Sequence, residues 1–333
     1  IRNMCLFGGY LADGDVVILI DDDEIFQNEE FMNKASEFIG GRFYGQTVDG
    51  IAGYYLNENG EYYDDVNIEP WMTYWNRFGS KSKAFDKIIG SSPRLKISPF
   101  AFGGLMVIHQ NLYKIVPFDP NLTRGEDIDY LINARMFGFN FFLDNELSIL
   151  HLPPDKPHPV WQRFRQDMYR FYYEKKKLET QEEKSNMQLV SAEDFDPYPG
   201  EFMKKDLEDK IFKSNIMLAL DYLSDDEIEN TKATLKNIYI SKYSAEPDYN
   251  VFNHYLELQS EWDNILDFAD DNFRKLEKIF EKTLIEKDGK QVETKQEYKD
   301  YQSIIDLPIF NTVSQQELDE LLSISEFKNY QVG

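Results

Sequence analysis

Cysteine is almost absent: one residue, Cys5, occurs in 333. A lone thiol excludes an internal disulfide framework and fits a reducing compartment, so a cytoplasmic location is expected. Long apolar runs are missing too. None approaches the roughly 18 uncharged residues of a spanning helix, and none reads as a secretory hydrophobic segment, so no membrane span is expected. Positive charge is scarce: 36 basic residues stand against 60 acidic ones, a formal net charge of −24. Nucleic-acid binders draw their affinity from clustered Lys and Arg, so no nucleic-acid partner is expected. A nucleotide-sized ligand remains compatible with this field if a divalent cation reverses the local sign.

What is present describes a globular chain, 42% hydrophobic and 15% aromatic, large enough for one or two domains. It opens on IRNMCLFGGYLADGD, a helix-like stretch with Gly14 as its stop, followed by the strand VVILI from Val16 to Ile20. Continuous aliphatic strands are usual inside parallel sheets covered on both faces, where βαβ units supply the neighbours. No such units precede this strand, so either a partner supplies them or the chain is the later part of a longer one, the second being the favoured reading. GYYLNENGEYY, Gly53 to Tyr63, has a hairpin turn at its Asn-Glu-Asn-Gly centre.

Glycine thins out beyond residue 155, and amphipathic charged segments take over: WQRFRQDMYRFYYEKKKL, FMKKDLEDKIFKSNIMLALDYL and WDNILDFADDNFRKLEKIFEKTL. SNMQLVSAEDFDPYPGE, Ser185 to Glu201, is a proline-containing linker. The expected division is an α/β domain over residues 1–155, a helix and linker over 156–200, and an α-helical domain over 201–333. There is no internal repeat and no sustained heptad pattern.

Two segments carry candidate chemistry. In ILIDDDEIF, Ile18 to Phe26, a buried-looking strand runs into adjacent carboxylates, each of which raises the cost of ionising the next. Asp21 and Asp23 lie at the carboxyl end of the strand, where open α/β sheets place ligands, and oxygen donors suit Mg²⁺ or Mn²⁺ holding phosphates. The competing reading is a set of dipole-favoured acids before the helix NEEFMNKASEFI. With Asn28 as that helix's N-cap, the aspartates fall in the turn ahead of it. In LTRGEDIDYLINARMFGFNFFLD, Thr123 and Glu126 have capping-box spacing, Ile128, Leu131, Ile132 and Met136 form the buried stripe, and Gly138 ends the helix. Capping does not require Asp127, which is either a surface carboxylate or a base placed to take a proton from an attacking hydroxyl. His151 ends a second aliphatic stretch, LSIL. It is either structural or an imidazole ligand completing a site begun by distant aspartates. His109, His158 and His254 receive no role.

In order, an Arg-Asn pair (Arg2, Asn3), a strand into Asp-x-Asp, a Gly-Gly pair (Gly103, Gly104) before a strand, PFDP, GEDIDY and a later histidine resemble the GT-A glycosyltransferases, especially the family-2-like group, over Arg2 to Pro154. The resemblance implies an α/β, GT-A (Rossmann-like) nucleotide-sugar domain, lacking its amino-terminal βαβ units and followed by an α-helical carboxy-terminal domain. It implies a metal-dependent transfer of a sugar from a nucleotide-sugar donor to a carbohydrate or other hydroxyl acceptor. Asp23 looks like the direct Mn²⁺ or Mg²⁺ ligand, and Asp21 its partner, reaching the metal or the donor ribose. His151 resembles the residue that closes the metal site against the diphosphate. Arg2, Gly103 and Gly104 fall with the donor-binding set. Asp127 looks like the base of an inverting displacement and Glu126 its acceptor-contacting neighbour, though some retaining enzymes share these motifs. Tyr54, Tyr55, Trp71, Trp75 and Phe100 lie near the family's acceptor loops and are equally suited to a core. The basic helix Trp161 to Lys177 would meet an anionic acceptor or membrane surface, or offset the acidic remainder. The later helices would pack on the catalytic domain, form an oligomer or bind a partner. A sugar nucleotidyltransferase and a non-catalytic helical scaffold with a degenerate α/β part are the alternatives.

Overall fold

The structure is a computed structural model that describes residues 1–62, 69–122, 124–152 and 158–285. Its elements run α1 (Arg2–Leu11), β1 (Val16–Ile20), β2 (Glu24–Ile25), α2 (Phe31–Glu37), β3 (Arg42–Phe43), β4 (Gln46–Thr47), β5 (Gly50–Leu56), α3 (Arg77–Ile89), β6 (Leu95–Ile97), β7 (Leu105–His109), α4 (Gln110–Tyr113), α5 (Glu126–Met136), β8 (Phe141–His151), α6 (Val160–Glu179), α7 (Leu207–Ser224), α8 (Ile228–Tyr243) and α9 (Val251–Ile285). The chain divides into two compact units, Ile1–Phe268 and Ala269–Gly333. The first holds the sheet and the helices around it. The described part of the second, residues 269–285, is helical. Among the described residues no helix is long and apolar enough to cross a membrane.

The central sheet is mixed and mostly antiparallel, in the order β1-β7-β5-β8-β2, with β6 also on β8. Among the described strands only β5 and β8 pair in parallel, Gly50 facing Phe141 and Leu56 facing Leu150. β1 therefore departs from the interior parallel strand that its aliphatic run suggests. It lies at one end of the described sheet, antiparallel to β7. Its residues alternate, with Val17 and Leu19 buried and Ile20 42% exposed. The aliphatic run is satisfied by α1 on one face, where Val17 closes on Gly9, and by the cluster around Phe31 and Val107 that takes Val16 and Ile18.

Two helix starts differ from expectation. α2 begins at Phe31 with Glu30 as N-cap, while the Asn28 side chain accepts from the Glu30 N–H one turn earlier. α5 is capped by Gly125 at φ +75°, which puts Glu126 in the first helical position rather than the third; Thr123 lies outside the described residues. A backbone in the left-handed region favours glycine, and the Arg170 guanidinium occupies the space where a Cβ would sit, so residue 125 has a double reason to lack a side chain. Ile128, Leu131, Ile132 and Met136 are buried as the stripe predicts, and Gly138 follows the helix end at φ +81°. The 57–60 turn forms, with the Asn57 side chain accepting from the N–H groups of Asn59 and Glu61. Any returning hairpin strand falls on residues 63–68, outside the described set.

The core of the first unit draws on both sides of residue 155. Trp75 stacks on Phe164 at 4.6 Å and meets Phe171 and Phe202 edge-on. Trp71 and Trp75 are buried there, so they are core aromatics. The 185–201 segment contributes Val190, Phe195 and Tyr198 to the same cluster. α8, which carries only a weak apolar stripe, folds beside α7 and was not anticipated.

A buried ionic cluster ties α6 to α5. The Lys177 ammonium is fully buried, 2.6 and 2.8 Å from the Asp129 carboxylate oxygens, 3.1 Å from Asn133 Oδ1 and 3.2 Å from Asp119 Oδ2. Burial pulls its pKa down, but the two carboxylates outweigh that and raise it, so Lys177 stays charged. This is where the basic helix spends part of its charge.

Candidate metal and active site

The site is assembled by strand register and by one hinge segment. β1 delivers Asp21 to the end of the sheet. After the exposed Asp22, the chain returns as β2, whose Glu24 lies opposite His151 and whose Ile25 lies opposite Leu150 of β8. Leu152 N–H donates to the Asp23 carbonyl at 2.8 Å, so the two segments are fastened at their ends. PFDP is the hinge. Asn3 exchanges two hydrogen bonds with the Phe118 backbone, at 2.8 and 2.7 Å, and Phe118 stacks on Tyr130 of α5 at 4.1 Å. Asp119 meanwhile joins the Lys177 cluster. The first turns of α1 and α5 are held in place by these contacts, and Arg2 and Glu126 meet.

Carboxylates dominate the result. Oxygens of Asp21, Asp23 and Glu24 lie within 4.8 Å of one another, and His151 Nε2 is 3.4 Å from Asp23 Oδ2. Arg2 Nη2 donates to Asp21 Oδ1 at 2.9 Å, and its Nε lies 3.6 Å from Glu126 Oε1. Burial lowers the Arg2 pKa, but the surrounding carboxylates raise it further, so it is fixed as a cation. Gly103 sits between Arg2 and Asp127: a Cβ there would lie 3.1 Å from Arg2 Nη2 and 3.4 Å from Asp127 Cβ. All eight site residues expected from the sequence, Arg2, Asp21, Asp23, Gly103, Gly104, Glu126, Asp127 and His151, thus fall in one neighbourhood.

Glu24 is the residue the sequence reading left out. Its Oε2 accepts from the Asp21 N–H at 2.8 Å, while Oε1 is buried with no hydrogen-bond partner among the described residues. Burial pushes its pKa up to about 7, and the charges of Asp21 and Asp23 act in the same direction. Glu126 is raised for the same reasons, burial first and Asp127 second. The signal was available in the fourth acid of DDDE, but its direction depends on the β2 register. Tyr55 is the other newcomer. Its ring stacks on His151 at 4.6 Å and 20°, and its hydroxyl accepts from the Gly104 N–H at 2.7 Å. Gly104 in turn leaves the space that Glu24 fills.

Chemically, five carboxylates gather around one guanidinium and one imidazole. An orphaned carboxylate oxygen beside two further hard oxygen donors is the pattern a divalent cation satisfies, and Mg²⁺ or Mn²⁺ suits such ligands better than a soft metal.

No protein-family profile matches the chain, and no curated protein does. Among solved structures, it is similar to the mannosyltransferase PcManGT from Pyrobaculum calidifontis in complex with GDP-Man and Mn²⁺, at 12% identity and a TM-score of 0.39. The alignment covers 79% of this chain and 65% of that one.

Proposed function

We propose that the protein is a metal-dependent glycosyltransferase of GT-A type, moving a sugar from a nucleotide-sugar donor to a hydroxyl acceptor with inversion. The observation that carries this reading is the convergence of Asp21, Asp23, Glu24 and His151 with the Glu126–Asp127 pair around Arg2. Asp23, Asp21, Glu24 and His151 would hold Mn²⁺ or Mg²⁺, which when bound supplies Lewis-acid stabilisation for a departing diphosphate. Arg2 orients Asp21 and Glu126 and keeps their charges from repelling one another. Asp127 accepts the proton of the acceptor hydroxyl as its oxygen bonds to the anomeric carbon. The bond from that carbon to the diphosphate oxygen breaks, and its electron pair leaves with the nucleoside diphosphate. One displacement inverts configuration. The catalytic residues would all lie within residues 1–155, with the later helices up to Phe268 completing the same compact unit. The location consistent with the single cysteine is the cytoplasm.

The test is nucleoside-diphosphate release across a panel of sugar nucleotides, GDP-mannose included, with Mn²⁺, with Mg²⁺ and with EDTA. Metal-dependent release from one donor, lost in Asp23→Asn, supports the reading. Asp127→Asn should keep donor binding and lose transfer by about 10²- to 10⁴-fold, the usual worth of a positioned base. Absence of both metal binding and donor release would overturn the proposal.

A further inference from the structure

Beside the start of α5, where Arg124 precedes its N-cap Gly125, lies a cleft of about 640 Å³. Arg124, Arg165 and Arg170 line it together with the aromatic rings of Trp161, Tyr169 and Tyr249, and no Asp or Glu is among its described lining residues. That is a notable exclusion in a chain with a net charge of −24. The arginines are not spent on surface pairs. Arg165 reaches no carboxylate among the described residues. It donates to Asn237 Oδ1 at 2.7 Å and the Ala233 carbonyl at 3.0 Å, and its guanidinium lies 4.9 Å from the Trp161 ring centroid. Arg170 is only 3% exposed. Its Nε pairs with Glu174 at 2.8 Å, while its Nη2 has no hydrogen-bond partner among the described residues. Arg124 Nε lies 3.3 Å from Asp167 Oδ1, and its Nη1 donates to Gln166 Oε1 at 3.2 Å. Arg170 also packs against Gly125, the residue that immediately precedes Glu126 and Asp127, which connects the cleft to the proposed base.

Resting on the transferase reading above, we propose that this cleft binds an anionic group, a phosphate or carboxylate, on a sugar-sized portion of the acceptor. Planar guanidinium groups match the geometry of such anions, and the aromatic faces suit a pyranose ring. An acceptor anchored by its charge at Arg124 and Arg165 would present a neutral hydroxyl toward the start of α5, where Asp127 stands. The acidic field elsewhere on the surface would repel the same ligand, which favours the cleft as its one productive site.

The test uses the full chain in EDTA without donor, so that the carboxylate site is not loaded. Binding of glucose 6-phosphate, glucuronate and uncharged glucose is measured by calorimetry for the wild type, Arg124→Gln and Arg165→Gln, with circular dichroism to verify folding. Saturable binding of the anionic sugars but not glucose, weakened roughly tenfold in each variant, is expected. A parallel arm sediments the proteins with phosphatidylcholine vesicles, with and without phosphatidylglycerol. Arginine-dependent vesicle binding would assign the anion to a lipid headgroup, and binding of the soluble sugars to a free one; either supports the cleft. Absence of binding in both arms, or equal binding by folded variants, overturns it. Donor release stimulated by the anionic sugar and not by glucose joins the cleft to transfer. Anion binding without release from any donor would overturn the transferase reading and the acceptor role while leaving the ligand class intact.

Discussion

Replacing Gly104 with alanine is expected to weaken metal binding without weakening the fold. A Cβ at this position would lie 1.8 Å from Glu24 Oε1, 2.4 Å from its Cδ and 2.7 Å from Oε2. Real Cβ atoms essentially never come within 3.0 Å of another heavy atom, so the carboxylate must withdraw by the difference, about 1.2 Å. Metal–ligand distances tolerate only about 0.2 Å, so Glu24 would leave the coordination shell proposed for it. The obstructing atoms are the end of a flexible side chain, so the backbone need not move and the stability change stays below about 1 kcal/mol. Disturbing the support of a metal ligand typically costs about 10- to 100-fold in affinity, and loss of Glu24 should fall in that range. Mn²⁺ titration by calorimetry, paired with urea unfolding, measures both quantities. Gly103→Ala is the natural contrast: its Cβ would meet Arg2 Nη2 at 3.1 Å, a contact relieved by a few tenths of an ångström, and Mn²⁺ affinity should stay near the wild-type value. A folded Gly104→Ala protein that binds Mn²⁺ as tightly as wild type would remove Glu24 from the site. An unfolded one would show that the packing argument is wrong.

Lys177→Met should destabilise the protein by about 3 to 5 kcal/mol, because it leaves the Asp119 and Asp129 carboxylates buried without their cation; a loss below about 1 kcal/mol in urea unfolding would contradict the charge assignment. Lys81 makes the opposite case. Burial, followed by the charges of nearby arginines, lowers its ammonium to about 8, and its only described partners are the faces of Phe85 and Phe102. Between about pH 8 and the ordinary lysine value of 10.5 the folded chain gives up this proton before the unfolded chain does, so the wild type gains stability as pH rises through that window. Lys81→Met should therefore be more stable than wild type at pH 7, by about 1 to 2 kcal/mol after allowing for partial exposure. The advantage should shrink as pH approaches 10.5; a difference independent of pH would refute the reasoning.

Local pattern carried much of this protein. The five residues of VVILI form β1, the 3.6-residue stripe of Ile128 to Met136 faces inward on α5, and Gly14 and Gly138 follow the helix ends expected of them. Acidic residues at a strand end, and a Glu-Asp pair at a helix start, can be read from sequence because each depends on its immediate neighbours. Which elements meet is a different matter. The VVILI pattern cannot distinguish an interior parallel strand from an end strand covered by α1, because either environment buries aliphatic side chains. Trp71 and Trp75 have the composition of a sugar platform, and only the arrival of Phe164 and Phe202 from later in the chain makes them core.

The site divides along the same line. Sequence alone determined that carboxylates, a histidine and a paired glycine would stand at the ends of particular strands and helices. Tertiary structure decided that they share one space. The pairing of Glu24 with His151, the Asn3 clasp on Phe118 and the buried Lys177 cluster are contacts between distant residues, and no periodicity encodes them. Glu24 gained its raised pKa and its orphaned oxygen from that assembly, and Gly104 gained its requirement to be small. The physical reason is that propensity and amphipathicity act over a few residues, whereas burial, electrostatic coupling and close packing depend on what the rest of the chain brings alongside.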